Sequence, residues 1–539
     1  MINRTATLVT KIFISEKNKS YCKCLLERGN MLSIINSNNL IGIESFLVKV
    51  ETDITRGMPA FNVVGLPSTE VKEARERVKS AIINAGYDFP KSRIVVNLSP
   101  ADMKKEGSFL DLPICIGILR KYINKNDDYL NECVFVGELS LDGHLRRVKG
   151  ILPLVIGAKN KKFKRIFIPY DNLKESNFID GIEVIPIKNL NECVNYLNGD
   201  HHISLDYSDL KMNDMKSDYE EDFQDVKGNY FVKRAAEIAA AGNHNLMMIG
   251  PPGSGKTMIA KRIRTILPKI DKEEIIEVSK IYSIAGMIDD KYGIVKERPF
   301  RSPHHSTTIQ SLVGGGCNCR PGEIALSHRG VLFLDEIAEF DKRILESLRQ
   351  PMEDKYINIS RVKYSVKYPC NTLVVAAMNP CPCGFYMSDK ECRCMPYEIL
   401  RYKNKLSGPL LDRFDMFVEV NQVSCEELNS NSNEEKSEDI RKRVEVAREI
   451  QNMRFENENI STNNEMTSKM IDKYCNLDDK TKEITKKIFI KYQLSNRSYI
   501  KLIKMARTIA DLECEDNINS SHVLEALSFR KAYDTYFKK

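Results

Sequence analysis

The sequence predicts an α/β protein of several domains, and three observations predict it. A four-residue apolar strand, Leu246-Met247-Met248-Ile249, runs into a glycine-rich turn and then a helix-prone segment. A second apolar strand ends in two adjacent carboxylates, Asp335 and Glu336. Residues 31–200 alternate strand and helix patterns, while residues 437–539 read as helix throughout. At roughly 100–200 residues per domain, a chain of 539 residues makes about three or four domains.

Composition narrows the class. Hydrophobic residues make up 42% and charged residues 29%, which fits a soluble globular chain. No apolar run approaches the ~18 residues needed to cross a bilayer. The stretch before Met31 lacks the apolar segment and small-residue cleavage site of a secretory signal. The 15 cysteines, an odd number scattered along the chain, argue against a disulfide framework and for a reducing compartment. A cytoplasmic protein with no membrane partner is therefore expected. The net charge of +7, from 81 basic and 74 acidic residues, permits a polyanionic partner without demanding one.

The elements follow in order. Residues 1–30 are polar, carry Cys22 and Cys24, and read as an extension or an upstream start. Residues 31–200 read as one α+β domain. Phe46, Val48 and Val50 alternate with Leu47, Lys49 and Glu51 in a strand period. Val71, Ala74, Val78, Ile82 and Ala85 fall on one helix face, and Gly86 stops that helix. Further strands are expected at 94–96, 134–136 and 166–168, and a helix at 112–119. Residues 201–224, rich in Asp, Glu, Ser and Lys, read as a linker, and 426–436 as a shorter one. The block at 225–423 has α/β character and carries the chemistry. No internal repeat is present.

Gly250-Pro251-Pro252-Gly253-Ser254-Gly255-Lys256-Thr257 matches G-x-x-x-x-G-K-[ST] in full, with a strand before it and a helical run, 258–266, after it. Glycines let backbone N–H groups turn inward around phosphates, and the helix presents its positive end to them. Lys256 would neutralise the β- and γ-phosphates of ATP, and the Thr257 hydroxyl would bind Mg²⁺. Val331-Leu332-Phe333-Leu334-Asp335-Glu336 reads as a buried parallel strand ending where such sheets place ligands. Asp335 would hold the Mg²⁺ shell, and Glu336 would orient and polarise the attacking water. A third buried strand at 372–378 ends at Asn379, an amide placed to position that water or sense the γ-phosphate. The alternative is a strand-ending Asn-Pro turn.

Other segments complete a pattern: Arg298-Pro299-Phe300-Arg301-Ser302-Pro303-His304-His305, Gly314-Gly315-Gly316, Pro321-Gly322-Glu323-Ile324, Asn379-Pro380-Cys381-Pro382-Cys383-Gly384 and Ser407-Gly408-Pro409-Leu410-Leu411-Asp412-Arg413. With the P-loop and Asp335-Glu336, they resemble the magnesium-chelatase-like AAA+ ATPases of the YifB/ComM type, over about residues 31–539. The resemblance implies an AAA+ core with a helix-2 insertion between the P-loop helix and Asp335, and a C-terminal helical lid at 437–539. It implies that Arg413 is an arginine finger reaching a neighbouring subunit, a device worth roughly 10³–10⁵ in rate. It implies that Arg497, in Leu494-Ser495-Asn496-Arg497, is a second sensor, and that the ring is a homo-hexamer. For each arginine the competing reading is a surface ion pair.

The resemblance also gives residues 31–200 a Lon-protease-like fold, carried by Gly137-Glu138-Leu139-Ser140-Leu141-Asp142-Gly143 and Val148-Lys149-Gly150-Ile151-Leu152-Pro153. Ser108 sits too early for the family's nucleophile, and Leu152 stands at the lysine position. Without a base beside a nucleophile no hydroxyl is activated, so this domain is expected to bind rather than cleave.

Cys381, Cys383, Cys392 and Cys394 form two close pairs that could hold tetrahedral Zn²⁺. The spacing departs from the usual C-x₂₋₄-C, and reduced structural thiols or a redox-sensitive pair are the other readings. Cys317 and Cys319 make a further pair with no assignment.

The resemblance implies a DNA translocase or branch-migration helicase acting on single-stranded or branched DNA in uptake or recombination. Arg298, Arg301, His304 and His305 are candidates for the pore, against an equal case that they brace the insertion internally. Metal insertion, as in magnesium chelatase, and protein remodelling are the alternatives.

Overall fold

The computed structural model describes residues 31–200, 219–423 and 434–538, apart from 106, 317, 318, 361–364 and 389. The 1–30 extension, most of both expected linkers and Cys317 therefore lie outside the described residues. The chain divides into two units, Met1–Asp214 with Tyr282–Ile294, and Met215–Ile281 with Val295–Lys539.

The first unit is built, among the described residues, on a seven-stranded sheet. β1 (Met31–Ile41) and β2 (Glu44–Thr55) form an antiparallel hairpin, pairing Met31 with Ile54 and Ile41 with Glu44. Gly42, at φ 58°, supplies the left-handed residue the tight turn requires. With β3 (Ala60–Val64), β4 (Arg93–Ser99), β5 (Cys133–Phe135), β6 (Arg165–Pro169) and β7 (Glu183–Ile187), the order is β3-β4-β2-β1-β5-β6-β7. Helix α1 (Thr69–Asn84) starts where the Ser68 hydroxyl accepts from Val71 N at 3.4 Å. It buries Val71, Ala74, Val78, Ala81 and Ile82, the face its 3.6-residue period marks.

One segment departs from the sequence reading. Residues 282–294, expected inside the 225–423 block, pack with the first unit. The Ser283 hydroxyl donates to the buried Glu175 carboxylate at 3.0 Å, and Gly150 N donates to Ser283 O at 3.0 Å. Arg147 pairs with Glu175 at 2.9 Å and also with Asp290. A buried carboxylate needs such partners, and Ser283 is one that only the later segment can supply.

The second unit carries a five-stranded sheet in which every pairing is parallel. Its strands are β8 (Leu246–Ile249), β9 (Phe300–Arg301), β10 (Val331–Leu334), β11 (Leu373–Met378) and β12 (Met416–Glu419), in the order β9-β10-β11-β8-β12. β8, β10 and β11 are buried throughout, as a sheet covered on both faces requires. Helices α2 (Tyr230–Gly242), α3 (Lys256–Ile266), α4 (Ser437–Arg454) and α5 (Asn496–Leu512) share one core with these strands. Ala236, Ala240, Ile263, Val444 and Ile509 lie in it. The C-terminal helices are thus packed into the same unit as the sheet.

Candidate nucleotide site

Parallel strands align their carboxyl ends, so residues that follow β8, β10 and β11 collect at one edge. The loop after β8 ends with Gly253 at φ 76° and Gly255 at φ 89°, both left-handed. A Cβ at either would meet nothing within 4 Å, so backbone conformation rather than crowding selects glycine there. Gly250 is different, because a Cβ would lie 2.2 Å from Val420 O.

Lys256 opens α3 and folds back over this loop. Its ammonium donates to Gly250 O at 2.8 Å and Pro251 O at 2.9 Å, and lies 3.3 Å from Asn379 Oδ1. Burial pushes its pKa down from the usual lysine value, with Asp335 and Glu336 opposing that shift. The Thr257 hydroxyl donates to Asp335 Oδ2 at 2.7 Å. The structure thus brings Lys256, Thr257, Asp335 and Asn379 together from residues far apart in sequence. Gln422, past β12, donates to Pro252 O at 3.1 Å and ties the loop to the neighbouring strand. A cavity of about 610 Å³ lies beside that tie, lined among others by Tyr230, Phe231 and Gln422.

Glu336 adopts φ 49° and ψ 46°, so the chain turns sharply where β10 ends. Its carboxylate is half exposed and lies 3.9 Å from His305 Nδ1. The sequence alone makes His305 a candidate for the pore or for internal bracing, and not for a place beside Glu336. No local pattern tells that the loop after β9 reaches the end of the adjacent strand.

Arg413 and Arg497 come together at a place the sequence did not mark. Arg413 Nη2 donates to Glu353 Oε2 at 2.6 Å and Arg497 Nη2 to Glu353 Oε1 at 2.8 Å. Arg413 also donates to Pro409 O at 2.5 Å, and its own carbonyl accepts from Asn245 Nδ2 at 3.0 Å. Arg497 stands in the first turn of α5, capped by Ser495. Neither arginine has a described contact with Lys256, Asp335 or Asn379. The two guanidiniums hold the Glu353 carboxyl below the ordinary glutamate range, against the desolvation that raises it most.

Arg298 and Arg301 have partners within the second unit. Arg298 donates to Pro268 O at 2.5 Å, Arg329 O at 2.8 Å and Glu274 at 2.7 Å. Arg301 forks onto Glu323 at 2.6 and 2.8 Å. For these two, the partners found within the unit are those the bracing alternative expects. His304 bonds Ser306 at 2.7 Å, and its ring lies tilted against that of His305, with centroids 4.0 Å apart.

In the first unit Ser108 donates to the Glu138 carboxylate, and the buried Lys105 ammonium donates to Pro100 O. Among the described contacts no lysine approaches Ser108.

Comparison with known proteins places the chain in a family. Three family profiles align in succession: subunit ChlI of magnesium chelatase at 50–172, magnesium chelatase subunit ChlI at 222–428, and the ChlI C-terminal region at 434–530. The competence protein ComM of Haemophilus influenzae is 40% identical over 502 residues, 93% of this chain and 97% of that protein. The YifB protein of Escherichia coli is 41% identical over 503 residues, with the same coverage of 93% and 97%. The maternal DNA replication licensing factor mcm6 of Xenopus tropicalis is 22% identical over 301 residues, 53% of this chain and 32% of that protein. No described helix is long and apolar enough to cross a membrane. With two relatives near 40% identity aligned along nearly the whole of both chains, this chain belongs to the magnesium-chelatase-like AAA+ family, in its ComM/YifB branch.

Proposed function

We propose that the chain binds and hydrolyses ATP with Mg²⁺ at this sheet edge, and that copies of it form a hexameric ring that moves on single-stranded or branched DNA in the cytoplasm. The observation that carries the ATPase reading is the convergence of Lys256, the Thr257–Asp335 pair and Asn379 around a loop with two left-handed glycines.

Each group has a role in this reading. Backbone N–H groups of the loop and the start of α3 cradle the phosphates. Lys256 exchanges its carbonyl partners for the β- and γ-phosphates. Thr257 and Asp335 offer hard oxygen donors 2.7 Å apart, which fit Mg²⁺. The ion, when bound, offsets charge developing on the transferred phosphoryl group. Glu336 orients the attacking water, with His305 steadying its carboxylate. Asn379 positions the γ-phosphate end of the site. Tyr230 and Phe231 offer ring faces to the base in the adjoining cavity. Arg413 and Arg497 act on a neighbouring copy, since both lie on Glu353 and apart from their own Lys256. Cys381, Cys383, Cys392 and Cys394 are zinc ligands in this reading. The first unit binds without cleaving.

The DNA part is supported by one relative's name as a competence protein, by the weaker similarity to a replication licensing factor, and by a net charge of +7. ATP turnover measured with and without forked or four-way DNA, at two salt concentrations, tests it. Stimulation that fades steeply with salt is expected. No stimulation and no strand movement would remove the DNA reading and leave the ATPase. Metal insertion is the second reading, favoured by the magnesium chelatase profiles. It predicts turnover that responds to a partner subunit and ignores DNA.

A further inference from the structure

Four thiols close the loop that follows Asn379. Cys381 and Cys383 stand in the turn after β11, and Cys392 and Cys394 stand just before the helix Pro396–Lys403. Their sulfurs are 3.4 Å apart for Cys381–Cys383, 3.7 Å for Cys381–Cys392 and 3.6 Å for Cys383–Cys392. All four lie within 4.8 Å of one another. Tetrahedral Zn²⁺ with bonds of about 2.3 Å sets its sulfurs about 3.8 Å apart. A disulfide would need about 2.05 Å. Backbone donors also face the sulfurs: Cys383 N reaches Cys394 Sγ at 3.4 Å, and Tyr386 N reaches Cys381 Sγ at 3.3 Å. Such N–H···S bonds are the outer partners that hold metal-binding thiolates in place.

The same loop bears on the nucleotide site at two points. Asn379, two residues before Cys381, has its Oδ1 3.3 Å from Lys256 Nζ. Gly384, directly after Cys383, has φ +85° and packs so tightly that a Cβ would lie 2.4 Å from Pro252 Cδ. Its N–H donates to Cys381 O at 3.0 Å. One turn therefore supplies two of the sulfurs, follows the sensing amide and presses on the phosphate loop.

We propose that zinc held by Cys381, Cys383, Cys392 and Cys394 is a structural prop of the nucleotide site, cross-linking the 381–394 loop so that Asn379 and Pro252 stay in register with Lys256. This rests on the zinc reading above and extends it to regulation of ATP handling by metal occupancy. The metal touches no phosphate, and the cysteines are positioning residues. Zinc displaces the thiol protons, so occupancy falls at low pH, and oxidation of paired thiols to disulfides would remove its ligands.

The test uses the full chain, purified without chelator. Zinc content is read by elemental analysis, affinity with a fluorescent ATP analogue, and kcat and KM by ATP turnover. One zinc per chain is expected. Cys392→Ser with Cys394→Ser should lose the metal and weaken analogue binding and kcat/KM by about ten-fold or more. Gly384→Ala should keep the metal and weaken both readings similarly, because it strikes Pro252 with all four thiols intact. A zinc-free native chain overturns the metal site, and the prop with it. Zinc present in the native chain but lost from the double variant, with affinity and kcat/KM within about two-fold of native, overturns the prop and leaves the metal site standing. Should the double variant fail to fold by circular dichroism, the native chain stripped of zinc by a chelator and returned to Mg²⁺ decides: zinc lost with analogue affinity within about two-fold of native also overturns the prop.

Discussion

Glu353→Gln is the most informative change for the proposed ring, because one carboxylate holds both candidate trans-acting arginines. Its two oxygens accept from Arg413 at 2.6 Å and from Arg497 at 2.8 Å. Glutamine keeps the shape and removes the charge. Charge-assisted hydrogen bonds are worth about 1.5–3 kcal/mol when shielded. Here the Glu353 side chain is 48% exposed, which reduces each to about 1 kcal/mol or less. Stability should therefore hardly change, with Tm moving by no more than about 3 °C. Turnover is more sensitive. About 1 kcal/mol of lost orientation is about five-fold per arginine, and about thirty-fold if both contribute independently. The affinity of each chain for ATP should stay the same, because neither arginine contacts its own Lys256. The assay pairs kcat from coupled ATP turnover with Kd from a fluorescent analogue, and with a thermal melt. Unchanged kcat would refute the positioning role. A Kd that shifts as far as kcat would refute action in trans.

Three further predictions follow from the geometry. Arg301→Ala should lower the melting temperature, because it strands the half-buried Glu323 carboxylate at a cost of about 1–3 kcal/mol; the salt slope of DNA binding should be unchanged, and a slope reduced by about one unit would restore Arg301 to the pore. Asp335→Asn weakens the ion site beside Thr257, so a Mg²⁺ titration of turnover should need about ten-fold more ion for half-maximal rate, and an unaltered titration would remove Asp335 from the ion's shell. Burial pushes the His244 imidazole down to about 4, so the unfolded chain, with histidine near 6.5, binds the proton first. Stability is fully present above about pH 6.5 and falls as pH drops toward 4, by about 2 kcal/mol at pH 5, measured by denaturant melts. His244→Gln should flatten that dependence, and an equal loss in the variant would show that other groups carry it.

The parts of the molecule that were legible from sequence are those written in contiguous residues. The P-loop, the β10 run into Asp335 and the strand before Asn379 each declare themselves through apolar length and the polar residues that end it. Their meeting at one edge follows from parallel strands alone. Other features depend on contacts between distant segments, which no local period encodes. Ser283 joins Glu175 in the first unit although it lies in a stretch that reads as part of the second. Glu353 carries no pattern that marks it as the partner of Arg413 and Arg497. His305 looked like one of several basic residues, yet it lies beside Glu336 while Arg298 and Arg301 are consumed by internal pairs. The cysteine spacing showed that four thiols could meet, but not that Gly384 among them would press on Pro252.

The central claim is that Lys256 and Glu336 serve one ATP-hydrolysing site in separable roles, the first binding and the second activating water. Single-turnover hydrolysis and analogue binding measured side by side on Lys256→Ala and Glu336→Gln test this most directly. The account predicts that Lys256→Ala loses binding by about ten-fold or more together with hydrolysis. It predicts that Glu336→Gln keeps native affinity while hydrolysis falls by about a hundred-fold or more. Native turnover in Lys256→Ala, or binding and hydrolysis lost together in Glu336→Gln, would contradict it.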